Sequence, residues 1–370
     1  MAHRREPSEL LHTEFMKVAK RQWRRLAMAD STGQKLTFGR ALVGSMLLGD
    51  VIRRRTGGQA RVGLLLPASV GGAVANVATL MGGGVPVNLN FTIGAEAMAA
   101  AVAEAEIRTI ITSKRFLSKA GLAEQPGMVF LEDLRDEITG LAKVRALLAA
   151  RFLPVRLLRR SYGGHVKAST PATIIFSSGS TGKPKGVVLT HANILANVDS
   201  LDQIFPMEQG DCFIGVLPFF HSFGFTGTLW FPLLQACKVA YHPNPMDAKT
   251  VGELAETYKA NMLISTPTFC NSYLRRCTKE QFAHLKYAIV GAEKLREPLA
   301  KAFEAQFGIP LLEGYGCTEM SPVVAVNRPN VDLGRESQVG TKVGSVGHPI
   351  PRVSGKVVDQ ETGEGRIFGR

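Results

Sequence analysis

Cysteine is scarce in this chain, with five in 370 residues, at positions 212, 237, 270, 277 and 317. No two are spaced C-x-x-C and none stands at metal-ligand spacing from a histidine, so neither a zinc cage nor a disulfide framework is expected. An odd count in a long chain points to reduced, buried thiols in a cytoplasmic protein. No signal peptide is read, because the first eight residues are polar and lead straight into an amphipathic segment. Long hydrophobic runs are missing too. Residues 62–95 and 212–237 carry no Asp, Glu, Lys or Arg, but Pro67, Gly82 and Pro86 interrupt the first, and Pro218, Gly224 and Pro232 the second. A spanning helix needs about 20 mostly apolar residues in regular helix, so both stretches read as buried β-α-β segments. There is no short-period repeat and no low-complexity tract beyond an alanine-rich helix at 94–106. The last absence is local. Between Ile138 and Val198 no acid occurs, against nine lysines and arginines, in a chain of net charge +13.

What is present is alternation. Residues 9–29 read as a helix. A second unit follows, from Leu36-Thr37-Phe38 into a helix ending near Arg54. Strands at 61–66, 84–89 and 108–112 alternate with helices at 69–81 and 94–106, which implies a parallel sheet covered by helices. A second β-α run places strands at 213–217, 238–241, 262–265, 287–290 and 311–313. Residues 339–358 turn to short strands broken by Gly and Pro, a barrel-like segment. The fold class expected is α/β, with two mostly parallel sheets, flanking helices and a small β segment. Its expected subdivisions are 1–165, 166–338 and 339–370.

Residues 140–160 stand apart. Leu141, Val144, Leu148 and Phe152 recur at helical spacing among Lys143, Arg145, Arg151 and Arg156, and Pro154 should end or kink the helix. Three readings stay open: a surface helix whose apolar face packs on the domain, a helix lying on a membrane surface, and a dock for an acidic partner. The helix is too basic to span a bilayer. Peripheral contact at the inner face of the membrane is the localisation that the second reading adds.

The stretch that organises the chain is 172–193. Thr173-Ile174-Ile175-Phe176 reads as a buried strand. Ten residues follow with almost no large side chain: Ser177, Ser178, Gly179, Ser180, Thr181, Gly182, Lys183, Pro184, Lys185 and Gly186. Thr190 can then cap a helix from His191. Glycines let backbone N–H groups turn inward as a nest for phosphate, and the hydroxyls and lysines add donors and charge. A Walker A loop would need Gly at 177 and Ser or Thr at 184. A nucleophile elbow would need Gly at 178. Both fail, so Ser180 is not expected to be an acyl-enzyme nucleophile. The plain alternative is a flexible hairpin loop.

The string S-S-G-S-T-G-K-P-K-G resembles the phosphate-binding signature of the adenylate-forming enzymes, which include acyl-CoA and acyl-ACP synthetases. Three further strand ends resemble that family's other signatures in its order: Pro218-Phe219-Phe220-His221-Ser222-Phe223-Gly224, Gly291-Ala292-Glu293, and Gly314-Tyr315-Gly316-Cys317-Thr318-Glu319. The chain is most similar to the adenylating part of bacterial acyl-ACP synthetase/2-acylglycerophosphoethanolamine acyltransferase proteins.

The resemblance implies roles. Ser177 to Lys183 would cradle the ATP phosphates, with Lys185 beside them. Tyr315, between Gly314 and Gly316, would stack on adenine, and Gly291, Ala292 and Glu293 would edge it. Thr318 would contact the α-phosphate and Glu319 would hold Mg²⁺. His221, Phe220, Phe223, Thr266 and Met320 would wall a pocket for a fatty acid or other apolar carboxylate. His221 alone would read as a satisfied core histidine, and the motif makes it a pocket wall. It is not the general base, since a carboxylate needs no deprotonation at pH 7. Cys317 stands where the family has a small or apolar residue, and reads as packing. The implied reaction makes an acyl-adenylate from ATP. The acyl group then passes to the thiol of CoA or of acyl-carrier-protein phosphopantetheine. No nucleic-acid partner is expected. The family's ribose-gripping aspartate, hinge and C-terminal lid are not found, so the chain reads as the large N-terminal domain alone, with impaired activity expected. The competing class is a binding protein that keeps the fold and has lost catalysis.

Overall fold

The computed structural model describes residues 9–164, 166–178, 184–332, 334, 337–359 and 361–363. Two sheets dominate. The larger has nine strands, in the spatial order His348–Pro349, Val323–Val326, Leu311–Gly316, Tyr287–Val290, Met262–Ser265, Cys212–Gly215, Lys238–Tyr241, Leu26–Asp30, Lys35–Thr37. Its six central strands, Leu311–Gly316 through Leu26–Asp30, run parallel, and antiparallel strands flank them on both sides. The smaller sheet is wholly parallel, in the order Val85–Asn88, Arg61–Leu64, Ile110–Thr112, Met128–Phe130. Near-continuous apolar strands such as Tyr-Ala-Ile-Val at 287–290 are what a sheet covered on both faces requires.

Local chemistry sets the helix ends. Ser69 Oγ accepts from Gly72 N–H at 3.1 Å and starts the helix Val70–Met81. Thr190 and Asn193 form a reciprocal capping box that opens His191–Ile204, which satisfies two otherwise unpaired N–H groups. Thr266 caps Pro267–Arg276, whose first residue is the proline that a first turn tolerates. Among the described residues, no helix is long and apolar enough to cross a membrane.

Four expectations need correction. Residues 9–29 are not one helix. The helix is Leu11–Arg21, and Leu26–Asp30 is a strand paired with Lys238–Tyr241, because edge burial beside a parallel partner outweighs the helical propensity of Leu-Ala-Met-Ala. The phosphate segment does not leave a strand of either large sheet. Pro171–Ser178 and Pro184–Thr190 form their own antiparallel hairpin, with Ile175 opposite Val187 and Ser177 opposite Lys185. The strands therefore extend into the ten-residue string, and only 179–183 remain at its tip, outside the described residues. The Leu311 strand runs on through Gly314, Tyr315 and Gly316, since Val323–Val326 pairs with those three residues. Of 339–358, His348–Pro349 is the one paired strand among the described residues.

A histidine pair is buried at the heart of the larger core. His12 and His191 lie with ring centroids 5.5 Å apart, and His191 Nδ1 accepts from Leu11 N–H. Burial, then the neighbouring His191, hold His12 down at about 3, and burial holds His191 at about 4. Both are neutral when folded at pH 5, whereas an unfolded histidine protonates near pH 6.5. The unfolded chain thus binds protons that the folded chain refuses. Stability should be full above about pH 6.5 and fall as pH drops from there toward 4, by up to about 1.4 kcal/mol per pH unit for each histidine. Urea midpoints at pH 7.5, 6 and 5 check this. A midpoint constant across the three would show that neither ring is held neutral.

Candidate active site

Four neighbouring parallel strands of the large sheet, Cys212–Gly215, Met262–Ser265, Tyr287–Val290 and Leu311–Gly316, end on the same side. In open α/β sheets the crevice outside the carboxyl ends of the strands is where ligands bind. Here those ends open on one cavity of about 760 Å³. Each contributes a wall: Pro218 and Phe220 to Phe223 from the first, Thr266 and Phe269 from the second, Gly291 to Glu293 from the third, Gly314 to Thr318 from the fourth.

The cavity is largely apolar. Phe91, Phe205, Phe231, Ile264 and Val326 line it, and Phe220 stands edge-on to Phe91 with centroids 5.1 Å apart. His221 lies 4.8 Å from the Phe220 ring, and burial lowers its pKa, so the imidazole is neutral at pH 7. Its polar groups are fastened by backbone. Tyr315 is 54% exposed, a large aromatic left open on the cavity wall. Thr318 opens a short 3₁₀ turn, Thr318–Met320, and its hydroxyl lies 3.4 Å from Ser222 Oγ. Glu293 directs its carboxylate away, to Thr268 N–H and Oγ1 at 3.1 and 2.6 Å, so the cavity meets the backbone of this segment. Burial raises the Cys317 thiol, which fits packing and not a poised nucleophile.

The structure thus gathers Gly291, Ala292, Glu293, Gly314, Tyr315, Gly316 and Thr318 around one cavity with Phe220, His221, Phe223 and Thr266. It does not bring Met320 there. That side chain is partly exposed, and its carbonyl accepts from Asn197 Nδ2 at 3.2 Å. Ser177 and Lys185 face each other across the hairpin and do not line the cavity, but the Pro184–Thr190 strand lies against the Thr318–Met320 turn. The Ser178 side chain, Gly179, Ser180, Thr181, Gly182 and Lys183 fall outside the described residues.

Residues that the sequence did not single out hold this arrangement. Asn197, buried in the middle of its helix, donates to Met320 O and Val323 O and accepts from Val323 N–H. Thr226 Oγ1 donates to Ser321 O at 2.9 Å. Glu313, buried in its strand, accepts from Leu295 N–H at 3.0 Å and so ties the Gly291 loop to the tyrosine strand. Asn327 Nδ2 donates to Glu313 O and Ser345 O. No pattern in one sequence marks a mid-helix asparagine as a clamp, because its partners lie more than a hundred residues away.

Among the described residues, no cluster of three or more His, Cys, Asp or Glu could cage a metal. Glu319 offers a single exposed carboxylate next to Thr318. That donor set fits magnesium, which is usually held by one or two carboxylates together with substrate phosphates.

The AMP-binding enzyme family matches residues 15–368. A long-chain-fatty-acid–CoA ligase of Bacillus subtilis (strain 168) is 29% identical over 197 residues, which cover 52% of this chain and 34% of that protein. A 4-coumarate–CoA ligase-like protein of Oryza sativa subsp. japonica is 27% identical over 358 residues, covering 92% of this chain and 61% of that protein. The chain therefore spans only about a third to three fifths of these two relatives. Among solved structures, the anthranilate CoA ligase AuaEII in complex with anthranoyl-AMP matches with a TM-score of 0.78 at 18% identity, covering 99% of this chain and 68% of that one. Apo MatB from Rhodopseudomonas palustris matches at 0.73 and 23% identity, covering 97% and 68%. At such identities the structures establish a shared fold.

Proposed function

The chain belongs to the AMP-binding enzyme family, and on that premise we propose that its cavity activates an apolar carboxylate, such as a fatty acid, as an acyl-adenylate. The observation that carries this is a single cavity lined both by several phenylalanines and by an exposed tyrosine and a threonine. A carboxylate oxygen would attack the α-phosphorus of ATP. The new bond is carboxyl oxygen to phosphorus, and the bond broken releases pyrophosphate. The chain's part is to position and to offset charge. Tyr315 offers a flat face for a purine, the Thr318 hydroxyl a donor for the α-phosphate, and the Gly291–Glu293 backbone an edge. The hairpin string from Ser177 to Lys185 would hold the remaining phosphates. Magnesium would be held by Glu319 and the phosphates, and would supply positive charge against them. The neutral, half-apolar setting of His221 suits a wall of the acyl pocket. The names of the relatives favour CoA as the acceptor thiol. The competing acceptor is the phosphopantetheine thiol of an acyl-carrier protein, and transfer assays with each decide between them.

Calorimetric titration with a non-hydrolysable acyl-AMP analogue tests the site. Tyr315→Ala should weaken binding about 5- to 150-fold, the worth of one base–aromatic stack. Thr318→Ala/Glu319→Ala should weaken magnesium-dependent ATP binding further, because hydrogen bonds to charged groups contribute about 1.5–3 kcal/mol each. Unchanged affinity in both variants, or no binding by the unmutated chain, would refute the assignment.

A further inference from the structure

The basic segment after residue 139 is built inside out. Gly140–Phe152 is a helix capped by Thr139, whose hydroxyl accepts from Ala142 N–H. Its buried residues are the small ones, Ala146 and Ala150, which lie against the helix Phe38–Thr56. Its large apolar residues point outward: Leu141 is 70% exposed and Phe152 73%, with Val144, Leu147 and Leu148 also exposed. After Pro154 a second short helix, Val155–Ser161, buries Leu158 and exposes Leu157. Seven of the seventeen large exposed hydrophobics among the described residues fall between 141 and 157. A helix that merely packs on its domain does the reverse, turning leucine and phenylalanine inward. The expectation that this apolar face packs on the domain is therefore overturned.

The charge on the segment is of one sign. Lys143, Arg145, Arg151, Arg156, Arg159 and Arg160 lie between 140 and 161, with no acid among them. Two nearby acids are already matched: Asp50 pairs with Arg53 at 2.9 Å and Glu137 with Arg55 at 2.6 Å. The segment is also held firmly in place. Lys20 Nζ donates to Ala150 O at 2.6 Å, the Arg151 guanidinium lies over the Trp23 ring, and Arg53 reaches Ser161 O. Its outward face is thus presented by a rigid support.

We propose that 140–161 docks the protein on an anionic lipid surface, with Leu141, Val144, Leu148 and Phe152 entering the interface and the flanking lysine and arginines meeting lipid phosphates. An apolar stripe about 17 Å long at 1.5 Å per residue, bordered by cations, is the form of a helix that lies in the plane of a membrane. A protein groove would need acids to meet six cations and a preformed cleft for the stripe, whereas an anionic bilayer supplies both everywhere on its surface. The position also suits an apolar substrate. Lys143 lines a second cavity of about 920 Å³, which shares Phe91, Pro243 and Asn244 with the first. The docking does not depend on the adenylation reading, and its test uses no nucleotide.

The experiment is flotation with vesicles of phosphatidylcholine containing about one third phosphatidylglycerol, at low and high salt, beside vesicles of phosphatidylcholine alone. Two variants accompany the unmutated chain: Arg151→Glu/Arg156→Glu/Arg159→Glu/Arg160→Glu, and Leu148→Asp/Phe152→Asp. Both changes lie on exposed side chains or partly exposed Arg159, so the fold should persist, and circular dichroism confirms it. The unmutated chain should float with the anionic vesicles only, and salt should release it. Each removed cation should cost about fivefold in partitioning, and either variant should stay in the soluble fraction. Absence of flotation with anionic vesicles, or equal flotation by the charge-reversed variant, overturns the proposal. So does a dimer in light scattering that Leu148→Asp/Phe152→Asp dissolves while no chain floats, because the face would then be an interface between copies.

Discussion

Gly316→Ala should leave a folded chain whose affinity for an acyl-adenylate analogue has dropped by at least about 100-fold. A methyl group at 316 would overlap the Pro322 carbonyl oxygen and lie 3.0 Å from the carbonyl carbon and 3.3 Å from Val323 Cα. All three are backbone atoms, so no side chain can swing aside. Val323 is fixed in turn by its pairing with Gly316 and by Asn197. The way out is for the strand to shift, and that shift carries Tyr315 on one side and Thr318 on the other. A displacement of about 1 Å in a positioned group can cost about 100-fold. Calorimetry with the analogue, alongside the far-ultraviolet spectrum, measures it. Affinity within a few fold of the unmutated chain would mean that the glycines around Tyr315 serve the strand and not the ligand.

A large loss of stability is expected from Gly224→Ala. The segment from Pro218 to Gly224 doubles back tightly, and a methyl at 224 would overlap Pro218 O and sit 2.8 Å from Leu217 O. The loop cannot open outward, because Phe219, Phe220 and Phe225 are buried on it, and the π-helical turn Phe225–Trp230 follows at once inside the core. Overpacking against backbone typically costs about 1–3 kcal/mol, and this site lies at the upper end, about 3 kcal/mol. Gly227→Ala is the control. There the close neighbour is the end of the Ile264 side chain, at 3.1 Å, which can change rotamer, and about 1 kcal/mol is expected. Urea midpoints of the two variants decide the matter. Equal losses would show that crowding by backbone is not what makes Gly224 necessary.

Much of the architecture could be read from local signals. Strands at 238–241, 262–265 and 287–290 stand where their β-branched and apolar runs place them, because a central parallel strand has little freedom but to be apolar throughout. Thr190 and Ser69 mark helix starts for reasons confined to one turn of chain. Legibility failed where a distant partner decided. Leu26–Asp30 is a strand because Lys238–Tyr241, two hundred residues on, offers it an edge. The hairpin at 171–190 entered only as the plain alternative, since serine, glycine and lysine carry no strand pattern although their backbones pair as far as Ser178 and Pro184. Within the site, the residues whose chemistry a ligand would feel were visible as short motifs. The residues that hold them, Asn197, Thr226, Glu313 and Asn327, act through single hydrogen bonds across the fold and leave no mark on sequence. For the 140–152 helix the periodicity was plain, but periodicity alone cannot say which face looks inward, and the alanines took that place.

The residues that line the cavity are fastened by different kinds of bond. Around Tyr315 and Thr318 the support is directional, made of strand pairing and of Asn197, Glu313 and Asn327 reaching to backbone atoms. Around Phe91, Phe220 and Phe231 it is contact between rings and aliphatic groups, which has no donor to lose. Cores of that second kind accept exchanges of similar volume for less than about 1.5 kcal/mol. Divergence among copies of this scaffold, or selection in the laboratory, can therefore reshape the phenylalanine lining while leaving the hydrogen-bonded support of Tyr315 and Thr318 in place. A library confined to positions 91, 205, 220 and 231 would change which apolar ligands the cavity admits, and each member would remain comparable with its parent.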